Sequence, residues 1–302
     1  MSRSAVSTEA LAIEGLRPRP KRLQTLLRTA RSKPFGTISA VVLIALVLIA
    51  IFAGQIAPAD PNKMFPGARL LAPGERGFIF GSDTLGRDVL SRIIHGSRIS
   101  LYVGIMSVAL GTVGGTIIGL ISGFFEGKID IVLQRIMDSI MCVPGLVLAL
   151  AIMAVLGQSI TNVLIALAII IAPADSRVVR GAVLSVKQNQ YIEAARCIGA
   201  SNWRILARHI SPNVMAPVLI IASVWLGNAI IIEASLSYLG LGTPPPTPTW
   251  GGMLSGEGRQ NMEQSPWLAV FPGLAISVVV LSFNMFGDAL RDILDPRLRG
   301  SQ

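Results

Sequence analysis

Residues 191–212 read YIEAARCIGASNWRILARHISP, and the rest of the chain is arranged around them. The stretch is basic and partly apolar, with blocks of membrane-length hydrophobic sequence on either side. Residues 191–198 have helix-forming composition, and Gly199 falls where a left-handed residue would end that helix. Ser201 or Asn202 can cap a second helix, which Pro212 closes within about a turn of its end. Trp203, Leu206 and Ile210 share one face of that second helix, while Arg204 and Arg208 sit one turn apart on another. On the first helix Ala194 and Ala195 leave a smooth patch, with Glu193 beside it, that a partner can approach closely. The expectation is a bent two-helix element in water rather than an ordinary connecting loop.

A chain of 302 residues with 52% hydrophobic and only 14% charged side chains is not an ordinary soluble domain. Crossing a ~30 Å hydrocarbon core takes about 20 residues of helix, and several runs are that long. Cys142 lies in an apolar run and Cys197 in the elbow, so no disulfide is expected.

Residues 1–34 are polar and basic and read as a cytoplasmic tail, with a short interfacial helix near 23–27. Residues 35–57 form the first span; the run is too long and its basic lead-in too extended for a cleaved signal peptide. Residues 58–98 form an outer loop whose end, from Asp83 to Ile94, predicts a short amphipathic helix on the membrane surface, capped by Asp83 or Thr84. The second span is 99–125, where Gly111, Gly115, Gly119 and Gly123 place a groove along one helix face for close helix packing. Residues 126–138 read as a short turn and 139–156 as the third span, kinked rather than broken at Pro144. The fourth span starts at Ile160 and reaches full length only if it runs past Pro173 toward Val179, which puts Asp175 at the inner face. Spans at 214–236 and 268–286 complete six, separated by an outer Pro/Gly-rich loop at 240–266.

Charge orients these spans. With the N-terminus inside, inner segments hold 19 of the 26 Lys and Arg residues, so both termini and the elbow are cytoplasmic. That distribution also accounts for the net charge of +9 without a nucleic-acid partner. Motifs for metal-dependent or nucleophilic catalysis are missing, and the only Gly-Lys pair, Gly127-Lys128, lacks a phosphate-cradling context. Neither metal nor cofactor is therefore assigned to this chain, and any ATP-driven work would need another chain. The remaining polar candidates in or beside the spans are Asp138, Asn162, Asp175, Asn228, Glu233 and Asn284, of which Asp175, Asn228, Glu233 and Asn284 are singled out for a pathway.

The order Glu193-Ala194-Ala195, then Gly199, then an apolar-basic helix ending in Ile210-Ser211-Pro212-Asn213, resembles the EAA loop of ATP-binding-cassette (ABC) importer permeases. Four stretches strengthen the likeness: FGSDTLGRDVLSRIIHGSRISLYVG at 80–104, residues 177–214, IIEASLSYLGLGTPPPTPTWG at 231–251, and PWLAVFPGLAISVVVLSFNMFGDALRDILDPRL at 266–298. Together they resemble the second, C-type permease of the dipeptide/oligopeptide and nickel branch. The resemblance implies an all-α membrane protein of type I importer fold, with a permease core at 99–288, a coupling loop at 185–212 and a cytoplasmic tail at 289–302. It implies a second permease as heterodimer partner, two cytoplasmic ATPases carrying ATP and Mg, and an extracytoplasmic solute-binding protein. Glu193, Ala194, Ala195, Gly199, Arg204 and Arg208 would then meet the ATPase. Residues 172–176, Ala-Pro-Ala-Asp-Ser, depart from the pattern of many relatives. The cargo stays open between peptide, nickel complex and another small solute. A secondary transporter would need central coupling carboxylates and inverted repeats, and a receptor-like protein would have no use for the elbow.

Overall fold

The computed structural model describes residues 33–294, and among these the regular elements are helices. The expected helix at 23–27 and the basic residues Arg297 and Arg299 lie outside them. Five described helices are long and apolar enough to cross a membrane, and a sixth span results if one bent pair is counted as a unit. The end of the bundle that carries residues 188–201 is called inner below, following the charge distribution.

Helix α1, Pro34–Ile51, starts on a proline, where a missing N–H costs nothing. A single turn, α2, Ala53–Ile56, follows it. Leu43 and Ala50 bury while Phe35, Ile38, Val41, Ile44 and Ile51 stay exposed, as suits a helix with one face to protein and the rest to lipid. Arg98 donates to the carbonyls of Ala50 (3.0 Å) and Ile51 (2.8 Å), so a cation closes the unpaired C-terminus of α1. At the other end Lys33 pairs with Asp292 at 2.6 Å.

Helix α3, Val89–Phe125, has 37 residues and a length of about 55 Å at ~1.5 Å per residue. This corrects two expectations: no separate surface helix precedes the second span, and the span does not begin at 99. The cap is Asp88, which accepts from Ser91 N at 2.8 Å, because Asp83 is already engaged. Its carboxylate accepts from Leu85 N (2.9 Å), Arg87 N (2.8 Å) and Arg87 Nε (2.6 Å), which closes the preceding turn. The first turns of α3 are then covered by protein rather than laid on lipid: Ser91 Oγ accepts from Ala59 N, and Arg92 donates to Pro61 O. The stretch at 80–88 is thus a folded turn, with Phe80 stacked on Phe271 at 4.1 Å between ring centres.

Helices α4, Gly127–Met141, and α5, Gly145–Leu156, are bent by 89° at the break between them. The expected turn at 126–138 is therefore a helix, and the expected kink at Pro144 is a full break. Pro144 adopts an extended backbone (ψ 129°), and the residue before a proline is pushed out of helical geometry. Twelve residues of α5 reach only about 18 Å, so α4 and α5 must share the crossing.

Helix α6, Ile160–Lys187, carries Pro173 inside it without ending. It runs eight residues beyond the expected limit at 179, and Asp175 lies on the order of 18 Å from its inner end rather than at the inner face. A short helix α7, Gln190–Cys197, follows. Then α8, Asn202–Ile205, passes through a π-turn, Leu206–Ile210, into α9, Ser211–Tyr238. Pro212 therefore opens α9 instead of closing the elbow's second helix. It sits in the first turn, where its absent N–H is no loss, and the wide π-turn absorbs the change of register. The outer loop holds α10, Trp250–Leu254, and α11, Glu257–Gln260, before α12, Trp267–Leu294, which continues eight residues past the expected end at 286.

Helices α3 and α6 form the parallel centre of the bundle. Gly111, Gly115, Gly119 and Gly123 face Ile171, Ala172 and Asp175, Val179, and Val183 in step along them. Helix α9 crosses both in the opposite direction, α12 lies beside α9, and α1 packs against α12 and α3.

Candidate functional site

The elbow is built from a helix stop that only glycine makes comfortably. Gly199 has φ +78°. Its N–H donates to Arg196 O at 2.9 Å, and the next N–H, of Ala200, reaches back to Ala195 O at 3.0 Å. This pair of bonds is a Schellman stop and satisfies carbonyls that would otherwise be orphaned. Ser201 then accepts from Arg204 N at 3.4 Å to start the second helix.

One face of the elbow is buried. Ile192, Ala195, Ile205, Leu206 and Ile210 pack with Phe124 of α3, Val179 and Val183 of α6, and Val214 and Val218 of α9. Burying such side chains contributes roughly 1.5–3 kcal/mol each as an upper figure, so the elbow is fixed to three long helices at once. Lys187 adds a polar clasp: its ammonium donates to Phe124 O and Glu126 Oε1, both at 2.7 Å, with the Phe124 ring 5.5 Å away.

The outward face carries Glu193, Ala194, Arg204 and Arg208, all exposed. Two expected positions are corrected. Ala195 is 6% exposed and faces the bundle, so it offers nothing to a partner from outside. Trp203 does not share a buried face with Leu206 and Ile210 but is 76% exposed; Ile205 takes the inward place. The cause is position: side chains in a first helical turn lean toward the N-terminus, so Trp203 projects past the helix end. Ile198, 86% exposed beside Gly199, was not singled out by the sequence. Its only signal was adjacency to the helix stop, where no following turn leans back over a side chain.

Within the bundle the four glycines fit against α6 with no room to spare. A Cβ on Gly111 would lie 2.7 Å from Ile171 Cβ, one on Gly115 2.5 Å from Ala172 O, one on Gly119 2.6 Å from Ser176 O, and one on Gly123 2.9 Å from Val183 Cβ.

The polar candidates do not converge. Asp175 is fully buried against Gly115, and neither carboxylate oxygen has a hydrogen-bond partner. Glu233 is equally buried but held: Ser237 Oγ donates to it at 2.8 Å and Ser100 Oγ at 3.4 Å. Asn228 and Asn284 are exposed on α9 and α12, with the Asn284 amide against Gly227, next to Asn228.

A network that the sequence did not disclose joins α3, α4 and α6. Arg180 grips Asp130 through Nε and Nη2, both at 2.6 Å, and Ser122 Oγ donates to the same carboxylate. Gln134 donates to Ser122 Oγ at 2.9 Å and Ser176 Oγ at 3.2 Å. Reading 126–138 as a turn hid it, because the spacing of Asp130 and Gln134 has meaning only on a helix.

The chain matches the family model for binding-protein-dependent transport system inner membrane components over residues 115–300. Residues 22–73 match the N-terminal TM domain of oligopeptide transport permease C. The glutathione transport system permease protein GsiD of Pectobacterium atrosepticum is 46% identical over 254 residues, 84% of each chain. That of Escherichia coli is 45% identical over 273 residues, 90% of each. A solved chain of the MetNI methionine ABC transporter, in inward-facing conformations, has a TM-score of 0.55 at 16% identity, covering 68% of this chain and 96% of that one, and so shares the fold. A bundle of membrane-length helices with an exposed inner elbow, these family matches and that shared fold lead to one conclusion: the chain belongs to the binding-protein-dependent transport system inner membrane component family, as a multi-pass, non-catalytic permease subunit of an ABC importer.

Proposed function

We propose that this permease imports short peptides and that the elbow at 191–212 is its coupling joint to a separate ATPase. The observation that carries the coupling reading is the two-sidedness of the elbow. Its inner face is locked into α3, α6 and α9, while Ile198 and Trp203, large apolar side chains in a basic, water-facing segment, stand uncovered. A surface of that kind transmits force only when a second protein grips it. Glu193, Arg204 and Arg208 surround the two knobs and set the polar part of the contact. Ala194 leaves room for close approach, and Gly199 holds the bend.

The further assembly follows the family pattern: a second permease forms the other half of the pathway, two cytoplasmic ATPases hold ATP and Mg, and an extracytoplasmic binding protein delivers cargo. The close packing of Gly111, Gly115, Gly119 and Gly123 keeps α3 and α6 moving as one body. Asn228, Asn284, Asp175 and Glu233 remain candidates for the pathway. The relatives named for glutathione transport favour a peptide as cargo.

Gly199→Val tests the joint. No atom lies within 4 Å of a Cβ built there, so the variant meets no clash, but a β-branched residue at φ +78° is strained by on the order of 1–2 kcal/mol. Insertion and assembly should persist while ATP hydrolysis no longer drives uptake in proteoliposomes. Uptake per ATP equal to that of the unmodified transporter would remove the elbow from the mechanism.

A further inference from the structure

Helix α4 lies obliquely across the inner half of α6, so that Asp130 meets Arg180 and, two turns on, Asp138 meets Arg177. Between the helices is an open groove of about 480 Å3, within the ~300–1,000 Å3 usual for small-ligand sites. Its lining is charged or amide-bearing except for Ile131. At the inner end of a membrane bundle such a lining is costly unless it meets water or a ligand of matching charge.

The two ion pairs differ. The Asp130 side chain is 13% exposed, and its carboxylate is held by Arg180 and Ser122; this pair is a brace. The side chains of Arg177 and Asp138 are 49% and 42% exposed, and such pairs are held weakly enough to change partners. Arg135, exposed on the same rim, has no carboxylate within ion-pair distance among the described residues. The rim therefore presents two guanidinium groups and one carboxylate. Arg135 and Asp138 are three residues apart on α4, which puts their Cβ atoms ~5–6 Å apart. An extended dipeptide spans about 7 Å, so opposite ends of a short peptide match the two charges.

We propose that this groove binds a short peptide by both free ends on the exit side of the permease, its carboxylate on Arg135 and Arg177 and its ammonium on Asp138. The proposal rests on the peptide reading above. Arg177 is ten residues from the inner end of α6, on the order of 15 Å, which places the site beyond the middle of the bundle on the way out.

The test uses the complete transporter in proteoliposomes, with binding protein outside and a radiolabelled alanine dipeptide with free termini as cargo. Arg135→Gln breaks no ion pair and should leave the ATPase chains co-purifying while cutting uptake at least fivefold. Asp138→Asn, which breaks the pair with Arg177, should also cut uptake at least fivefold with the ATPase chains still co-purifying. Unchanged uptake by Arg135→Gln or by Asp138→Asn would overturn the proposal. A phospholipid that co-purifies with the unmodified transporter and is lost from Arg135→Gln would assign the groove to lipid and overturn it too. Failure of the unmodified transporter to take up the dipeptide would overturn the peptide reading itself, a result that none of the variants can mimic.

Discussion

Gly114 and Gly115 are neighbours in the sequence and opposites in the fold. A Cβ on Gly114 meets nothing within 4 Å, whereas one on Gly115 would sit 2.5 Å from Ala172 O and 2.7 Å from Asp175 Cβ. Backbone cannot yield as a flexible side chain can, so Gly115→Ala should separate α3 from α6 and cost roughly 1–3 kcal/mol. Gly114→Ala should be silent. Thermal unfolding in detergent, followed by loss of the monodisperse peak, compares the two; equal midpoints would show that the glycine stripe does not set the packing. Glu233 offers a second contrast. Because two serine hydroxyls donate to its carboxylate, Glu233→Gln keeps one acceptor oxygen in place and should fold, whereas Glu233→Leu leaves Ser237 and Ser100 without their acceptor and should lower the unfolding midpoint. Leu tolerated as well as Gln would mean the hydrogen bonds contribute nothing.

At the scale of elements the elbow divides into a fixed face and a free one, and substitutions should divide the same way. Trp203→Ala and Ile198→Ser remove exposed surface, so the permease should remain folded but retain fewer ATPase chains on purification, with weakening of tenfold or more if these are anchors of the contact. Ile205→Ser and Ile210→Ser put hydroxyls into the cluster with Val179, Val183 and Val214 and should destabilise the permease itself. Co-purification that is unaffected by both outward variants would place the contact elsewhere. Much of the elbow was legible in sequence because Gly199 and Ser201 encode their conformations locally. Its helix faces were misread because the π-turn at Leu206–Ile210 and the entry of Pro212 into α9 depend on packing against neighbours. The start of α3 has a local cause: Arg87, four residues on, claims the Asp83 carboxylate, which leaves Asp88 as the cap and Val89 as the first helical residue.

At the scale of the molecule, hydrophobic length and Lys/Arg asymmetry alone indicated a multi-pass helical membrane protein, because both quantities are set by the bilayer rather than by tertiary contacts. The broken α4–α5 crossing and the Asp130 network were not legible. A proline says that a helix is interrupted but not by what angle, and a carboxylate in an apparent turn does not announce an arginine fifty residues away. Orientation is testable in the intact cell envelope. A cysteine at Glu193, in a background lacking Cys142 and Cys197, should react with a membrane-impermeant maleimide only from the cytoplasmic side; labelling from outside would invert the topology. The most direct measurement of the coupling joint is a photo-cross-link. With benzoylphenylalanine in place of Trp203 in the assembled transporter, irradiation should give a covalent adduct between this permease and an ATPase chain. An adduct with the extracytoplasmic binding protein, or with lipid alone, would contradict the coupling role of the elbow.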